Sequence, residues 1–243
     1  MKTQEYKKIF LLEDKHFWFL GKRALIKILL DQHLPNKNLF ILDIGCGTGG
    51  LTKFLTHYGK VIGLEKNKYT VNLAKKRGLK IINGDAQKLP FKRNYFSLVT
   101  LFNVLYHKNV KDEKMVIKEV NRVLKNNGYF LITDSAFNFL KSTHDRAVFG
   151  NKRFTLPYLK NILEKEGFKI IKSSYCFFLL FPLIFIKRKI LDKFIKNNDS
   201  DLNQFPKIIN WFLTKFFLFE AWLLKYIDFP IGSSLVILAK KIN

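Results

Sequence analysis

The chain has 243 residues, 48% of them hydrophobic and 26% charged, a balance that supports a folded core and excludes disordered or collagen-like classes. Lysine and arginine total 43 against 19 aspartates and glutamates, a formal net charge of +24 that favours anionic partners. Two cysteines, Cys46 and Cys176, exclude a disulfide framework and a C-x-x-C motif, so a reducing, cytoplasmic setting is expected.

The first twenty residues place Glu5, Glu13 and Asp14 among apolar side chains and lack a small-residue cleavage site, so no signal peptide is expected. A helical leader follows at about 17–30, with Phe17, Trp18, Phe19, Leu25, Ile28 and Leu29 available for packing. From 39 onward short apolar runs alternate with longer amphipathic ones. Strands are predicted at 39–44, 60–64, 80–83, 97–102, 128–134 and 168–176, and helices at 51–58, 69–77, 111–123 and 155–166. Such alternation means βαβ units and a mostly parallel, doubly wound α/β sheet covered on both faces. Gly78, Gly128 and Gly167 each stand where a helical run should stop.

The stretch 177–229 is different in kind. It opens with FFLLFPLIFIKRK, crosses a polar patch at 196–204, and becomes strongly aromatic through IINWFLTKFFLFEAWLLKYIDF. Wound as a helix, it gathers Lys207, Asn210, Thr214, Lys215, Lys225 and Asp228 on one stripe and leaves the rest apolar. Glu220 falls on the apolar side and calls for a cationic partner, with Arg188 or Arg153 as candidates. A last strand is predicted at 233–240. The organisation read from this is one domain over 1–243: a helical leader (1–36), a core (37–176), an aromatic helical insertion (177–229) and a closing strand (230–243). No stretch offers the roughly 20 uninterrupted apolar residues needed to span a bilayer.

The chemistry concentrates in ILDIGCGTGG, residues 41–50. A buried strand ends in Asp43 and enters a turn where glycines let the backbone approach a ligand closely, followed at once by a helix N-terminus. Two spacings fit. Gly45, Gly47 and Gly50 satisfy the dinucleotide pattern G-x-G-x-x-G, and Asp43, Gly45, Gly47 and Gly49 satisfy D-x-G-x-G-x-G. Cys46 in this loop reads as a small turn residue. The later strand ends carry Glu65, Gly84-Asp85-Ala86 and Asn103-Val104-Leu105-Tyr106-His107, at the edge where open sheets bind ligands. Alone, each has a plain explanation as a turn residue, a cap or a packed loop histidine. In this order and spacing, they form a ligand cleft. The Tyr-x-x-x-Lys pair of short-chain dehydrogenases is absent.

These segments resemble a class I S-adenosylmethionine-dependent methyltransferase of the type 11 group. ILDIGCGTGG matches that family's cofactor loop, GLEKN its ribose-binding acid at Glu65, and GDAQKLPF the segment where Asp85 meets the adenine. FSLVTLFNVLYHKN matches the fourth strand and the loop beside the methionine moiety, and EVNRVLKNNGYFLITD the helix-to-strand segment, with Asn126-Asn127 replacing the usual Pro-Gly. The resemblance implies a seven-stranded Rossmann-like methyltransferase fold with a helical, aromatic-rich insertion before the last strand. It implies S-adenosyl-L-methionine as cofactor, held by Asp43, Gly45, Cys46, Gly47, Thr48, Gly49, Glu65, Asp85, Ala86 and Asn103. The flanks resemble a subgroup whose fifth strand is followed by S-x-H-D and H-x-R-R-Y-T; Ser142, His144 and Asp145 match the first part, and GNKRFT keeps only Arg153 of the second. His107, His144 and Asp145 are the candidates for base or acceptor positioning, Asp145 as orienter of His144.

Methyl transfer from a sulfonium demands alignment more than side-chain chemistry. The aromatic insertion with its lysines points to a small-molecule, glycan or lipid-linked acceptor near a membrane, with peripheral contact at its inner face. The alternatives are an RNA methyltransferase, for which arginine is scarce, and a non-catalytic cofactor-binding module.

Overall fold

The computed structural model describes residues 3–34, 38–191, 202 and 204–242. Seven strands form one sheet in the order β3-β2-β1-β4-β5-β7-β6. β1 (Leu39–Ile44), β2 (Gly59–Glu65), β3 (Ile81–Asn83), β4 (Phe96–Phe102) and β5 (Leu124–Ser135) run parallel. β7 (Ser234–Lys241) enters antiparallel between β5 and β6 (Phe168–Cys176). Strand order reverses between β1 and β4, so their carboxyl ends flank a crevice.

Successive strand residues face opposite sides. Ile41, Leu98, Leu131 and Val236 pack on one face, and Leu42, Val99, Phe130 and Ile237 on the other. With both faces covered, the central stretches of β1, β4, β5 and β7 are mostly apolar, which made them readable from sequence. The first face carries α2 (Phe17–His33), α3 (Gly50–Leu55) and α9 (Lys207–Leu223). The second carries α5 (Glu113–Val123), whose Val116, Ile117, Val120 and Val123 form one buried stripe, and α7 (Leu156–Lys165). α4 (Lys68–Lys75) places Val71 and Ala74 against Ile81 near the sheet edge.

Several boundaries differ from expectation for local reasons. The helix expected at 51–58 stops at Leu55 and tightens into a short turn, Thr56–Tyr58, before Gly59. Gly59 has φ 153°, and a Cβ there would lie 2.0 Å from the Leu39 carbonyl oxygen. α5 starts at 113 because the Asp112 carboxylate caps it, accepting from the Lys114 amide at 2.8 Å. Gly128 is no helix stop. α5 ends at Val123, β5 begins at once, and the turn is carried by Asn127 at φ 61°, a conformation asparagine tolerates. An additional helix, α1 (Thr3–Leu12), precedes α2.

Between β6 and β7 lie α8 (Phe181–Ile186), a wide turn at Lys187–Leu191, and α9. The polar patch predicted at 196–204 falls mostly outside the described residues. α9 ends at Leu223, so Lys225 and Asp228 do not extend its polar stripe, and Asp228 instead pairs with Lys172 at 2.8 Å. Asn210, assigned to that stripe, faces inward. Its side chain accepts from the Phe17 amide at 2.9 Å and donates to the Lys15 carbonyl at 2.8 Å, tying α9 to the start of α2. Gly21 lets the helices meet, since a Cβ there would sit 2.8 Å from Phe217. Glu220 does not pair with Arg188 or Arg153. Its carboxylate accepts the backbone amides of Phe178 at 3.1 Å and Leu179 at 3.0 Å, and burial raises its pKa.

Candidate active site

A cavity of about 930 Å³ opens along the carboxyl ends of β1, β2 and β4. Its floor is the glycine loop. The Gly45 and Cys46 amides both donate to the Leu64 carbonyl, at 2.7 and 3.1 Å, which binds the loop to β2. Gly45 has φ 67°, and a Cβ there would lie 2.3 Å from Val104. Gly47, at φ 54°, has open space where its Cβ would be, so the bare backbone faces the cavity. Beneath the loop Asp43 accepts from Thr52 Oγ1 at 2.6 Å and Thr100 Oγ1 at 2.8 Å, while burial pushes its pKa up to about 6. Cys46 lines the cavity as a packed thiol, and burial raises its pKa well above the ordinary value, away from nucleophilic chemistry.

Glu65 sits across from the loop. One carboxylate oxygen accepts from the Gly47 amide at 3.0 Å and the other from the Asn67 amide at 2.8 Å. Asp85 pairs with Lys66 at 2.6 Å and accepts from the Gln87 amide at 2.9 Å. Burial opposes ionisation there, yet the lysine and amide hold its pKa below the ordinary range. Thr48, Ala86 and Asn103 also line the cavity. Gly49 does not. It caps α3 at φ 87°, and its Cβ position is filled by Leu79 and Ala74, so its role is packing against α4.

The expectation that the N-terminus of α3 faces the ligand needs correction. The Gly50 amide donates to Glu13 at 3.2 Å, so the helix end is capped from within the chain. Glu13 pairs with Arg77 at 2.8 Å, and Arg77 also reaches Asp14 at 2.7 Å, the Thr48 carbonyl at 3.0 Å and the Phe10 carbonyl at 3.1 Å. This network holds α1 over the cofactor loop, where Glu5, Tyr6 and Ile9 complete the wall. Sequence reading missed it. The available signal was seven arginines among 43 basic residues, Arg77 being one of the few side chains suited to bidentate pairing.

Towards the acceptor side, Lys22 reaches in from α2 and donates to the Asn103 side chain, Asn103 itself holding φ 55°. Burial lowers the Lys22 pKa to about 8 and raises that of neighbouring Asp134 to about 7. His107 lines the cavity beside Phe149, and its Nδ1 accepts from the Asn109 amide at 3.2 Å. Burial, with Lys108 and Lys66 near, lowers its pKa to about 4. His107 is therefore neutral at physiological pH and a poor proton acceptor. His144 also lines the cavity.

Asp145 is not arranged as the orienter of a catalytic histidine. Its oxygens take the Arg153 guanidinium at 2.9 and 3.0 Å and the Ser142 amide at 2.9 Å, in a capping box at α6 (Thr143–Ala147). Burial alone would raise its pKa, but Arg153 outweighs that and holds it below the usual range. Asp145→Asn leaves the buried guanidinium uncompensated and is expected to cost about 3–5 kcal/mol. Since the folded pKa lies below the unfolded one, this stabilisation is complete above the unfolded value, about pH 4, and fades as pH falls through the lower folded value. Urea midpoints between about pH 7 and pH 3 should show the wild-type advantage over the variant shrinking at the acid end. An advantage independent of pH would contradict the assignment.

Residues 42–132 match the family described as "Methyltransferase domain". An uncharacterised protein of Methanocaldococcus jannaschii is 33% identical over 171 residues, covering 66% of this chain and 67% of that protein. Demethylmenaquinone methyltransferase of Staphylococcus saprophyticus is 34% identical over 104 residues, 39% of this chain and 44% of that enzyme, so the chain spans less than half of that relative. A solved S-adenosylmethionine-dependent methyltransferase of Thermotoga maritima shares the fold at a TM-score of 0.60 and 20% identity, with 98% of this chain and 95% of that one covered. The chain thus carries a methyltransferase domain, and its fold is that of the class I S-adenosylmethionine-dependent methyltransferases.

Proposed function

We propose that the protein methylates an apolar, lipid-linked acceptor at a membrane surface, with S-adenosylmethionine as donor. One observation carries this reading. Leu180, Leu183 and Ile184 around α8 and Leu213 of α9 line the cavity, while the same helices leave Phe185, Ile186, Ile208, Trp211, Phe212, Phe219 and Trp222 exposed. Trp211 is 59% exposed and Phe212 63%, a continuous apolar surface of the kind that marks a lipid or partner contact. Lys215 lies over the Trp211 ring, which suits an anionic interface. Among the described residues, no helix is long and apolar enough to cross a membrane, so the contact proposed is peripheral. The name of the staphylococcal relative, with its demethylmenaquinone, supports a small-molecule acceptor.

The cofactor residues fit such a donor. Gly47 presents open backbone, Glu65 and Asp85 place carboxylates at successive strand ends, and Tyr6 of α1 closes one side. When bound, S-adenosylmethionine supplies a methyl group on a cationic sulfur, leaving the protein to exclude water and fix the acceptor's approach. Lys22, at a pKa of about 8, and His144 are the side chains placed to take or hold an acceptor proton. The RNA alternative loses ground because Arg23, Arg77, Arg122 and Arg153 are all engaged with carboxylates.

The test is transfer from methyl-labelled S-adenosylmethionine into a total host extract, then separation into lipid, RNA, protein and small-molecule fractions. Label is expected in the lipid fraction. Label concentrated in RNA or protein would overturn the reading, and a protein that fails to bind S-adenosylmethionine at millimolar concentration would be a binding-dead relative.

A further inference from the structure

Among the described residues, the carboxylates that line the cavity, Glu5, Glu13, Asp43, Glu65 and Asp85, come from the α1 segment and the ends of β1, β2 and β3. The wall built by α2, β4, β5 and β7 has a different character. It carries Lys22, Asn103, Ser135 and Ser234. Ser135 and Ser234 stand in direct register across β5 and β7, on the face of the sheet where α2 packs and from which Lys22 enters.

Lys22 makes this wall a donor surface. Its ammonium donates to Asn103 Oδ1, and an ammonium carries three N–H groups, so one contact does not exhaust it. Because an ammonium only donates, the Asn103 atom it meets is the oxygen, which leaves the amide nitrogen as a second donor. Asn103 is fixed at the end of β4 by its φ of 55° and by its backbone amide, which donates to the Thr133 carbonyl at 2.8 Å. Asp134 attracts Lys22, yet its oxygens accept the Ser135 amide at 2.7 Å and the Tyr106 amide at 3.3 Å, and it stands outside the cavity lining. Burial lowers the lysine's pKa to about 8, so at neutral pH it is mainly an ammonium in a chamber that solvates it poorly. Such a group gains from an oxygen that accepts hydrogen bonds and bears negative charge, and it opposes a cationic amine. One helical turn before Lys22, Trp18 lines the same cavity with its ring stacked on Phe177 at 4.2 Å, and Phe102 and Leu213 extend the apolar surface.

We propose that Lys22 and the Asn103 amide nitrogen bind an acidic hydroxyl of the acceptor, of phenol or enol type, as its oxyanion, with a flat apolar body resting against Trp18. This rests on the methyl-transfer reading above and narrows its acceptor to an oxygen acid. The proton lost on binding goes to solvent, since the ammonium is already charged. Ser135 and Ser234 add hydroxyls that can turn to donate to the same oxygen. No strong base is required, which accords with a cavity whose His107 is a poor proton acceptor.

The probes are naphthol, its methyl ether methoxynaphthalene and the cationic naphthylmethylamine, titrated onto the full chain by calorimetry with S-adenosylhomocysteine present so that no transfer occurs. Naphthol is expected to bind at least about tenfold more tightly than either of the others. The absorbance of bound naphthol should show its ionisation midpoint lowered by at least about one pH unit. Lys22→Gln keeps a donor for Asn103 and removes the charge, and should return the midpoint to its value in water. Ser135→Ala should weaken naphthol about two- to tenfold and keep the lowered midpoint. Thermal melting shows whether the variants are folded, and if Lys22→Gln is not, the selectivity and the midpoint of the wild type decide. Naphthol that binds no more tightly than the ether or the amine, or a midpoint unchanged by binding, overturns the site. A lowered midpoint that survives Lys22→Gln overturns the role of Lys22. Wild-type protein that fails to bind S-adenosylhomocysteine counts against the methyltransferase reading, separately from the oxyanion site, which the naphthol titration repeated without it still tests.

Discussion

Glu65→Ala is expected to weaken S-adenosylmethionine binding about 100-fold. Each of its two oxygens holds a loop amide, Gly47 at 3.0 Å and Asn67 at 2.8 Å, so the side chain shapes the cradle as well as facing the ligand. A hydrogen bond to a charged group contributes about 1.5–3 kcal/mol, and losing about 3 kcal/mol in all corresponds to the 100-fold figure. Glu65→Gln keeps one acceptor oxygen and should fall between, near tenfold. Titration calorimetry gives the affinities, and thermal melting shows whether the loop has unfolded instead. A loss under about threefold with an unchanged melting temperature would remove Glu65 from the cofactor site.

The second large effect concerns lipid. Trp211→Ser combined with Trp222→Ser is expected to reduce partitioning onto anionic vesicles about 1000-fold. The two rings are 59% and 46% exposed, so each offers on the order of 100 Å² for burial, or about 2 kcal/mol. Two such losses give about 4 kcal/mol. Because both side chains face outward, folding should change by no more than about 0.5 kcal/mol. Co-sedimentation with vesicles of anionic and neutral lipid reads the effect, and raised salt should weaken only the anionic case, through Lys207, Lys215 and Lys225. Equal sedimentation of the variant and the wild type would refute the membrane role of α9.

The sheet and the glycine loop were legible because their signals are local. β1 and β6 lie at the predicted residues, β1 as a short apolar run that the sheet buries and β6 as an edge strand whose Phe168, Tyr175 and Cys176 are buried while Lys169 is exposed. The glycine spacing reported the loop because positive φ at Gly45, Gly47 and Gly49 excludes other residues cheaply. Local reading went astray where a distant contact set the outcome. Gly49 satisfies the motif yet packs against α4, and Asp145 stands beside a histidine in sequence but is claimed by Arg153 in space. Asn210 looked like a solvated residue of a polar stripe, and its partners are 193 and 195 residues away.

From its sequence alone, this protein announces an α/β sheet, a cleft at the strand ends and the acids that line it, since periodicity and glycine spacing act within a few residues. Only the tertiary structure brings α1 onto the loop through Glu13 and Arg77, Lys22 to Asn103, the Glu220 carboxylate to backbone amides, and Asp145 to Arg153. The reason is physical: a buried charge or hydroxyl must find a partner, and which partner it finds depends on where distant segments pack, a relation that no local pattern encodes.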